Sequence, residues 1–142
     1  MKRGCWDAHI NNRKVVFSRS VEIVVLNALV IDDVPVQNIL RKMLLESGVD
    51  EVKTASTGSE GLRYLSQGEI DLLILDIHLP DMSGLDVLKQ VRESGSKLFV
   101  VVATGYEELE TVHEIIRMGA NRYIVKPVQL SELKQVVEQV SR

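Results

Sequence analysis

The sequence predicts an α/β fold, a doubly wound (βα)5 three-layer sandwich around a parallel five-stranded sheet. From residue 28 onward, short apolar runs alternate with segments of helical period, which is the pattern of consecutive βαβ units. The runs at residues 72–75 and 99–102 are apolar at every position, as expected for strands buried on both faces. The length of 142 residues suits one domain better than two.

Five short segments carry the strand signal. They cover residues 28–31, 51–55, 71–75, 98–103 and 122–125. The second segment alternates polar with smaller or apolar residues, so it fits the edge of a sheet better than the centre. Right-handed crossovers between parallel strands then give the flavodoxin-like strand order 2-1-3-4-5.

Helices are predicted after each of these strands. In the first, apolar residues recur at i, i+3, i+4, i+7 and i+8 from Val36 to Leu44. The predicted start signals are Pro35 for the first helix, a capping box at residues 57–60 for the second, Ser83 for the third and Ser131 for the fifth. The predicted end signals are Gly48, Gly95 and Gly119 for the first, third and fourth helices.

Residues 1–26 lie outside the alternation and form a predicted N-terminal extension, and residues 27–142 form the predicted domain. The polar stretch at residues 7–14 suggests a loose tail, whereas residues 21–26 are apolar enough to extend the first strand. Cys5 is the single cysteine, so no disulfide forms within the chain, which fits the reducing cytoplasm.

Charge and hydropathy exclude two classes of partner. With 17 basic and 20 acidic residues, the net charge of −3 provides no basic field for nucleic acid. No apolar run approaches the roughly 20 residues that a membrane-spanning helix needs. The N-terminal residues also lack the apolar core of a secretion signal. We therefore expect a cytoplasmic protein that contacts neither DNA nor membrane.

Polar side chains follow four of the five predicted strands. These strand ends are Asp32-Asp33, Asp76, Thr104-Gly105 and Lys126-Pro127. The carboxyl ends of parallel strands form the ligand-binding edge of an open α/β sheet, so these groups are expected to meet there. Three carboxylates at one place repel unless a cation compensates them, and a hard divalent ion, Mg²⁺ or Mn²⁺, suits oxygen ligands.

Asp76 is the predicted nucleophile of this cluster, because a carboxylate can accept a phosphoryl group as an aspartyl phosphate. It follows the most apolar strand and stands between the other charged strand ends. Lys126 is expected to act as a point charge on the phosphate, and the hydroxyl of Thr104 as a hydrogen-bond donor. Taken alone, Asp32 and Asp33 would be interpreted as a helix cap; the joint pattern favours a phosphoryl-acceptor site.

The chain from about residue 28 to residue 140 resembles the receiver domain of bacterial two-component response regulators. The matching motifs are Val-Ile-Asp-Asp-Val-Pro at 30–35, Leu-Asp-Ile-His-Leu-Pro-Asp-Met-Ser-Gly at 75–84, Ala-Thr-Gly at 103–105 and Tyr-Ile-Val-Lys-Pro at 123–127. The resemblance implies that Asp76 takes phosphate from a sensor histidine kinase or a small phosphodonor. It further implies that Asp33, Asp76 and the backbone carbonyl of His78 hold Mg²⁺, with Asp32 acting partly through water.

The same resemblance implies a conformational switch. Thr104 would move toward the phosphoryl group and Tyr123 would turn inward, and the Lys126–Pro127 peptide bond would be cis. These shifts would change the face made by the fourth helix, fifth strand and fifth helix, which would control a protein partner or output domain and could form a homodimer. Such a protein is a signalling phosphoacceptor that catalyses only its own phosphotransfer and slow autodephosphorylation.

Three alternatives are less favoured. A haloacid-dehalogenase-like phosphohydrolase needs a second aspartate two residues after the nucleophile, where this chain has His78. A flavodoxin-like cofactor module needs a loop rich in Gly, Ser and Thr for the flavin phosphate, and no predicted strand is followed by one. A receiver fold that binds partners without phosphorylation would have lost site residues, whereas all of them are present here.

Overall fold

The computed structural model describes residues 5–10, 13–18, 22–105 and 109–141, which form eight strands and five helices. The strands are β1 (Cys5–Ile10), β2 (Arg13–Ser18), β3 (Glu22–Val25), β4 (Asn27–Ile31), β5 (Glu51–Ala55), β6 (Leu72–Leu75), β7 (Phe99–Thr104) and β8 (Arg122–Val125). The helices are α1 (Val34–Glu46), α2 (Gly58–Ser66), α3 (Gly84–Glu93), α4 (Leu109–Arg117) and α5 (Leu130–Ser141).

The larger sheet is parallel and has the order β5-β4-β6-β7-β8. This order confirms the predicted doubly wound topology, and each strand begins and ends within one residue of its predicted bounds. Strands β4, β6 and β7 are buried at nearly every position because helices cover both faces. Strand β5 lies at one edge and is mostly part-exposed, as its mixed sequence predicts.

Two apolar cores separate the sheet from its helices. On one face, side chains of α1 and α5 pack against Ala28 and Val30 of β4. On the other face, side chains of α2, α3 and α4 pack against Leu29 and Ile31 of the same strand. Successive residues of β4 thus serve opposite cores, which follows from the two-residue period of a strand. The packing holds the carboxyl ends of the central strands in one fixed row.

The helix ends agree with the predicted signals except at α5. Thr57 Oγ1 accepts from the backbone N–H of Glu60 at 3.1 Å, and Ser83 Oγ accepts from that of Leu85 at 3.1 Å. The prediction that Ser131 caps the fifth helix is wrong, because α5 already begins at Leu130. The Glu132 carboxylate instead accepts from the backbone N–H of Gln129 at 3.0 Å, and the helix begins two residues earlier than a cap at Ser131 implies.

The N-terminal strands form a separate antiparallel sheet in the order β1-β2-β3. The sequence predicted a loose tail or a longer first strand, and neither describes this sheet. Strand β3 pairs with β2, and Leu26 separates it from β4, so β3 does not lengthen the parallel sheet. Residues 1–4, 11–12 and 19–21 of the expected tail lie outside the described residues. The division into residues 1–26 and 27–142 remains a prediction.

None of the helices in the described part of the chain has the length and apolar character needed to cross a bilayer. The longest of them, α1, has 13 residues.

Candidate functional site

The polar strand ends lie side by side because the parallel ladder continues one residue beyond the strands. The backbone N–H of Asp76 donates to Ile31 O at 3.0 Å, and that of Lys126 donates to Thr104 O at 2.8 Å. The backbone N–H of Asp32 donates to Ala55 O at 3.1 Å. These bonds bring together residues that are far apart in the sequence.

The ammonium group of Lys126 lies between two carboxylates. Its Nζ is 2.7 Å from Asp32 Oδ2 and 3.5 Å from Asp76 Oδ2. The shorter contact is a close ion pair rather than a well-aligned hydrogen bond. The lysine side chain is 23% exposed, whereas that of Asp32 is 2% and that of Asp76 is 12% exposed. One partly accessible cation therefore compensates two shielded carboxylates.

Burial raises the pKa of the Asp32 carboxyl to about 7. The nearby Lys126 ammonium and the Asp33 backbone N–H, which donates to Asp32 Oδ1 at 2.7 Å, oppose this rise, whereas the charge of Asp76 adds to it. The charged form of Asp32 is therefore disfavoured, and a further cation near the cluster would stabilise it.

We expect Asp32→Asn to stabilise the metal-free protein at pH 8 by about 1–3 kcal/mol, because it removes a buried charge. The folded-state pKa lies above the ordinary value of 3.8, so the contribution of Asp32 to stability is fully present below about pH 4 and is lost as pH rises through 7. Urea unfolding in EDTA from pH 5 to 8 should show a shallower loss of stability in the variant. An unchanged pH slope would contradict the assignment of the raised pKa to Asp32.

Asp33 is exposed beside this cluster, at the N-cap position of α1. Its side chain makes no capping hydrogen bond, so the helix-cap interpretation of this residue is not supported. The exposed carboxylate of Asp33 directly follows Asp32 in the chain and is accessible to an ion that arrives from solvent.

Thr104 is fully buried, and its Oγ1 has no hydrogen-bond partner among the described residues. Buried hydroxyl groups in native proteins are normally paired, so an unpaired one at a strand end is informative. Tyr123 lies on the neighbouring strand β8 and is part-buried against the apolar core between the sheet and helices α2, α3 and α4. The Lys126–Pro127 peptide bond is cis.

The loop after Asp76 is closed tightly on that residue. The backbone N–H of His78 donates to Asp76 Oδ1 at 3.3 Å, and that of Gly84 donates to Ile77 O at 2.7 Å. A β-carbon on Gly84 would lie 2.0 Å from the carbonyl oxygen of Asp76, so only glycine allows this approach. His78 also pairs with Ser83 across the loop in an isolated antiparallel bridge.

Comparison with known proteins identifies the family of this chain. Residues 28–138 match the family model of the response regulator receiver domain. The chain belongs to this family.

Relatives of this receiver domain agree with the match. It is 36% identical over 112 residues to a probable C4-dicarboxylate response regulator, DctR, of Priestia megaterium, covering 78% of this chain and 49% of that protein. It is 31% identical over 114 residues to the regulatory protein LuxO of Vibrio cholerae, covering 80% of this chain and 25% of that protein. The chain thus spans about half the length of the first relative.

A solved structure supports the fold. The CheY-like receiver domain protein of Methanospirillum hungatei has a TM-score of 0.75 to this chain at 29% identity, and the match covers 82% of this chain and 94% of that one.

The residues of the receiver domain fit a magnesium ion by their chemistry. Over the described ranges, no three side chains of His, Cys, Asp or Glu come together as a metal-binding group. Mg²⁺ does not need three, because it usually takes one or two carboxylates and completes its octahedron with waters and phosphate oxygens. Asp33 and Asp76 offer two carboxylates, and Asp32 adds a third whose charged form is disfavoured mainly by burial, which raises its pKa, so a cation at this strand edge would stabilise the charged cluster.

One contributor to this region was not predicted. The end of the second strand was not expected to contribute to the site, yet Ser56 and Ser59, which follow that strand, form hydrogen bonds with Gln37 and Asp81. The available signal was the glutamine at position 37, in the first turn of the first helix and on the same face as Leu40.

Proposed function

We propose that this receiver domain accepts a phosphoryl group on Asp76 with the help of Mg²⁺, and that phosphorylation changes the surface by which it controls a partner. The observation that carries the proposal is the Lys126 ammonium, 2.7 Å from Asp32 and 3.5 Å from Asp76 at the carboxyl ends of three strands. An ammonium group at this place can stabilise the negative charge of a phosphoryl group that binds to Asp76.

In the reaction, a carboxylate oxygen of Asp76 attacks phosphorus on the phosphohistidine of a sensor histidine kinase, or on acetyl phosphate. A P–O bond to Asp76 forms, and the P–N or P–O bond to the donor breaks, so its electron pair leaves with the donor. The product is an acyl phosphate. Phosphoryl transfer mainly requires positioning and charge stabilisation, which Lys126 and the loop closed by Gly84 supply.

Asp33, Asp76 and the backbone carbonyl of His78 would hold Mg²⁺, or Mn²⁺ in its place, and Asp32 would act partly through water. When bound, the ion offsets the charge of the carboxylates and of the incoming phosphoryl oxygens. The raised pKa of Asp32 and the exposure of Asp33 support this assignment.

The proposed switch begins at Thr104, whose buried Oγ1 lacks a partner in the described residues. A phosphoryl oxygen on Asp76 would give this hydroxyl an acceptor and so favour a conformation in which Thr104 lies closer. Tyr123 would then turn inward and alter the face formed by α4, β8 and α5. Ile116 on α4 is a large apolar side chain that is 47% exposed, which suits a contact surface for a partner or a homodimer.

The proposed setting is a cytoplasmic signalling pathway with a sensor histidine kinase upstream and a protein partner or output domain downstream. The domain would catalyse its own phosphotransfer and slow autodephosphorylation. The net charge of −3 speaks against direct contact of this chain with nucleic acid.

The test is to incubate the full chain with Mg²⁺ and acetyl phosphate and to measure the intact mass. We expect the added mass of one phosphoryl group, and no addition when EDTA replaces Mg²⁺. A parallel sample with beryllofluoride should change the amide NMR signals around Thr104. Absence of both effects would leave a receiver fold that binds partners without phosphorylation.

Lys126→Ala should still take up phosphate, about 100-fold more slowly, because one charge that stabilises the transferring group is lost. The slow-formed product should no longer change the environment of Tyr123, since the lysine links the phosphoryl group to β8. The rate is measured by mass and the coupling by NMR of the same sample. Lys89→Ala, on the exposed side of α3, is the matched control and should behave as wild type. Full coupling in Lys126→Ala would contradict the proposed link.

A further inference from the structure

A short segment at the end of β5 lies between the two halves of the proposed site. Residues 56–59 comprise the two-residue turn after β5 and the first two residues of α2, and we call them the brace segment. One half of the site is the Asp32-Asp33 pair after β4, and the other is Asp76 with the loop that follows it. Each half is joined to the brace segment by a polar side chain that none of the proposed catalytic roles uses.

Gln37 joins the brace segment to the first half. It is 6% exposed, and its Nε2 donates to the carbonyl oxygen of Asp32 at 2.7 Å and to Ser56 Oγ at 2.9 Å. The first bond restrains the peptide that links Asp32 to Asp33. Without Gln37, this carbonyl would lose a buried hydrogen bond.

Asp81 joins the brace segment to the second half. Its Oδ1 accepts from the backbone N–H of Gly58 at 2.8 Å, and its Oδ2 accepts from the N–H of Ser59 at 3.0 Å and from Ser59 Oγ at 2.7 Å. The Ser59 hydroxyl, followed by these backbone groups, lowers the pKa of Asp81 to about 2. The carboxylate thus stays ionised at the N-terminus of α2, where negative charge is favoured.

The brace segment is also closed internally. Thr57 Oγ1 accepts from the backbone N–H of Glu60 at 3.1 Å, and the Glu60 carboxylate lies 3.5 Å from the backbone nitrogen of Ser56. A β-carbon on Gly58 would come within 2.5 Å of the Met82 side chain, so the brace segment is in direct contact with the loop that follows Asp76, which we call the acceptor loop. We therefore expect a displacement of the Asp32-Asp33 half of the site to affect the acceptor loop.

We propose that Gln37 and Asp81 are positioning residues that act through the brace segment to hold the two halves of the site in register for Mg²⁺ and for the phosphodonor. The proposal rests on the proposed function of Asp76. A simpler interpretation is that Asp81 only caps α2. That helix already has Thr57 as its N-cap, and Asp81 reaches it from 22 and 23 positions away. The bonds therefore connect two separate elements of the site as well as satisfying the helix end.

The test measures the Mg²⁺ dissociation constant of the full chain by calorimetry and the acetyl phosphate reaction as a function of Mg²⁺ concentration. For Asp81→Asn and for Gln37→Leu we expect about tenfold weaker binding of the metal alone, the scale seen when groups that orient metal ligands are removed. The rate at saturating Mg²⁺ should fall much less than the apparent affinity. Ser59→Ala, which changes no charge and is exposed, should weaken binding about twofold to threefold, because one of three bonds to Asp81 is lost.

Three controls separate positioning from other effects. Asp86→Asn removes the same charge from a nearby exposed position in the first turn of α3 and should leave Mg²⁺ affinity within about twofold. Val140→Ala lowers stability from the far end of α5 and should also leave affinity unchanged. In the double variant of Gln37 and Asp81, the loss of affinity should be smaller than the product of the single losses, because the segment is already released.

The outcomes separate the two proposals. If the wild type binds no Mg²⁺ and takes no phosphate, the proposed function fails and the brace fails with it. If the wild type reacts but the brace variants keep wild-type affinity, only the brace is overturned. It is likewise overturned if the losses match those of Val140→Ala at equal stability, or if the two single effects multiply fully.

Discussion

Asp76→Asn is expected to abolish phosphorylation, which is the largest functional effect we predict. The amide of asparagine is not a nucleophile, and the other carboxylate beside Lys126, that of Asp32, is 2% exposed and therefore shielded from a phosphodonor. With acetyl phosphate and Mg²⁺, the wild type should gain one phosphoryl group that hydroxylamine removes, as expected for an acyl phosphate. The variant should gain none by intact mass.

Loss of labelling in Asp76→Asn should not come from unfolding. The substitution removes one charge from a cluster in which the pKa of Asp32 is already raised to about 7, so the thermal midpoint should be unchanged or higher. Asp86→Asn is the matched control, with the same chemical change at an exposed site, and should be labelled like the wild type. Labelling retained by Asp76→Asn at another residue would refute the assignment of the acceptor.

Gly84→Ala is expected to lower the free energy of unfolding by at least about 3 kcal/mol. The new β-carbon would meet backbone, with 2.0 Å to the carbonyl oxygen and 2.8 Å to the carbonyl carbon of Asp76. Backbone cannot rotate aside as a side chain can. The loop would have to open, which would also weaken the 2.7 Å hydrogen bond from the Gly84 N–H to Ile77 O.

Urea unfolding of Gly84→Ala gives the stability, and the acetyl phosphate reaction gives the effect on the site. Gly105→Ala is the matched control for stability, because no described residue other than its chain neighbours lies within 4 Å of a β-carbon placed there, and the backbone is not in the left-handed region. Its free energy of unfolding should stay within about 1 kcal/mol of the wild type. Equal stability of the two variants would show that the acceptor loop yields more easily than its close contacts imply.

The two largest predictions concern one short stretch of chain. Asp76 would provide the reacting group, and Gly84 allows the loop to fold back on the acceptor backbone so that α3 can begin at once. The Asp76 substitution is expected to act chemically, by removing the proposed nucleophile, and the Gly84 substitution sterically, by forcing the loop open. The proposed brace adds a third element, since Asp81 lies in the same loop and anchors it to α2.

The parallel sheet and its order could be predicted from the sequence, because fully apolar strands and helical stripes are local patterns with different periods. The contact of Lys126 with Asp32 and Asp76 was also predictable, since polar residues directly after parallel strands share one edge. Asp32, Asp76, Thr104 and Lys126 are buried or partly buried at that edge, as their positions after apolar strands imply.

The differences among these residues become visible only in the folded chain. Asp32 is buried and paired with Lys126, whereas the adjacent Asp33 is exposed, and no sequence period separates the two. The bonds of Gln37 to Ser56 and of Asp81 to Gly58 join residues 19 and 23 positions apart. The antiparallel sheet of the N-terminal strands likewise depends on which strands find each other as partners. Such pairings depend on distance and direction in the folded chain, which local periodicity does not record.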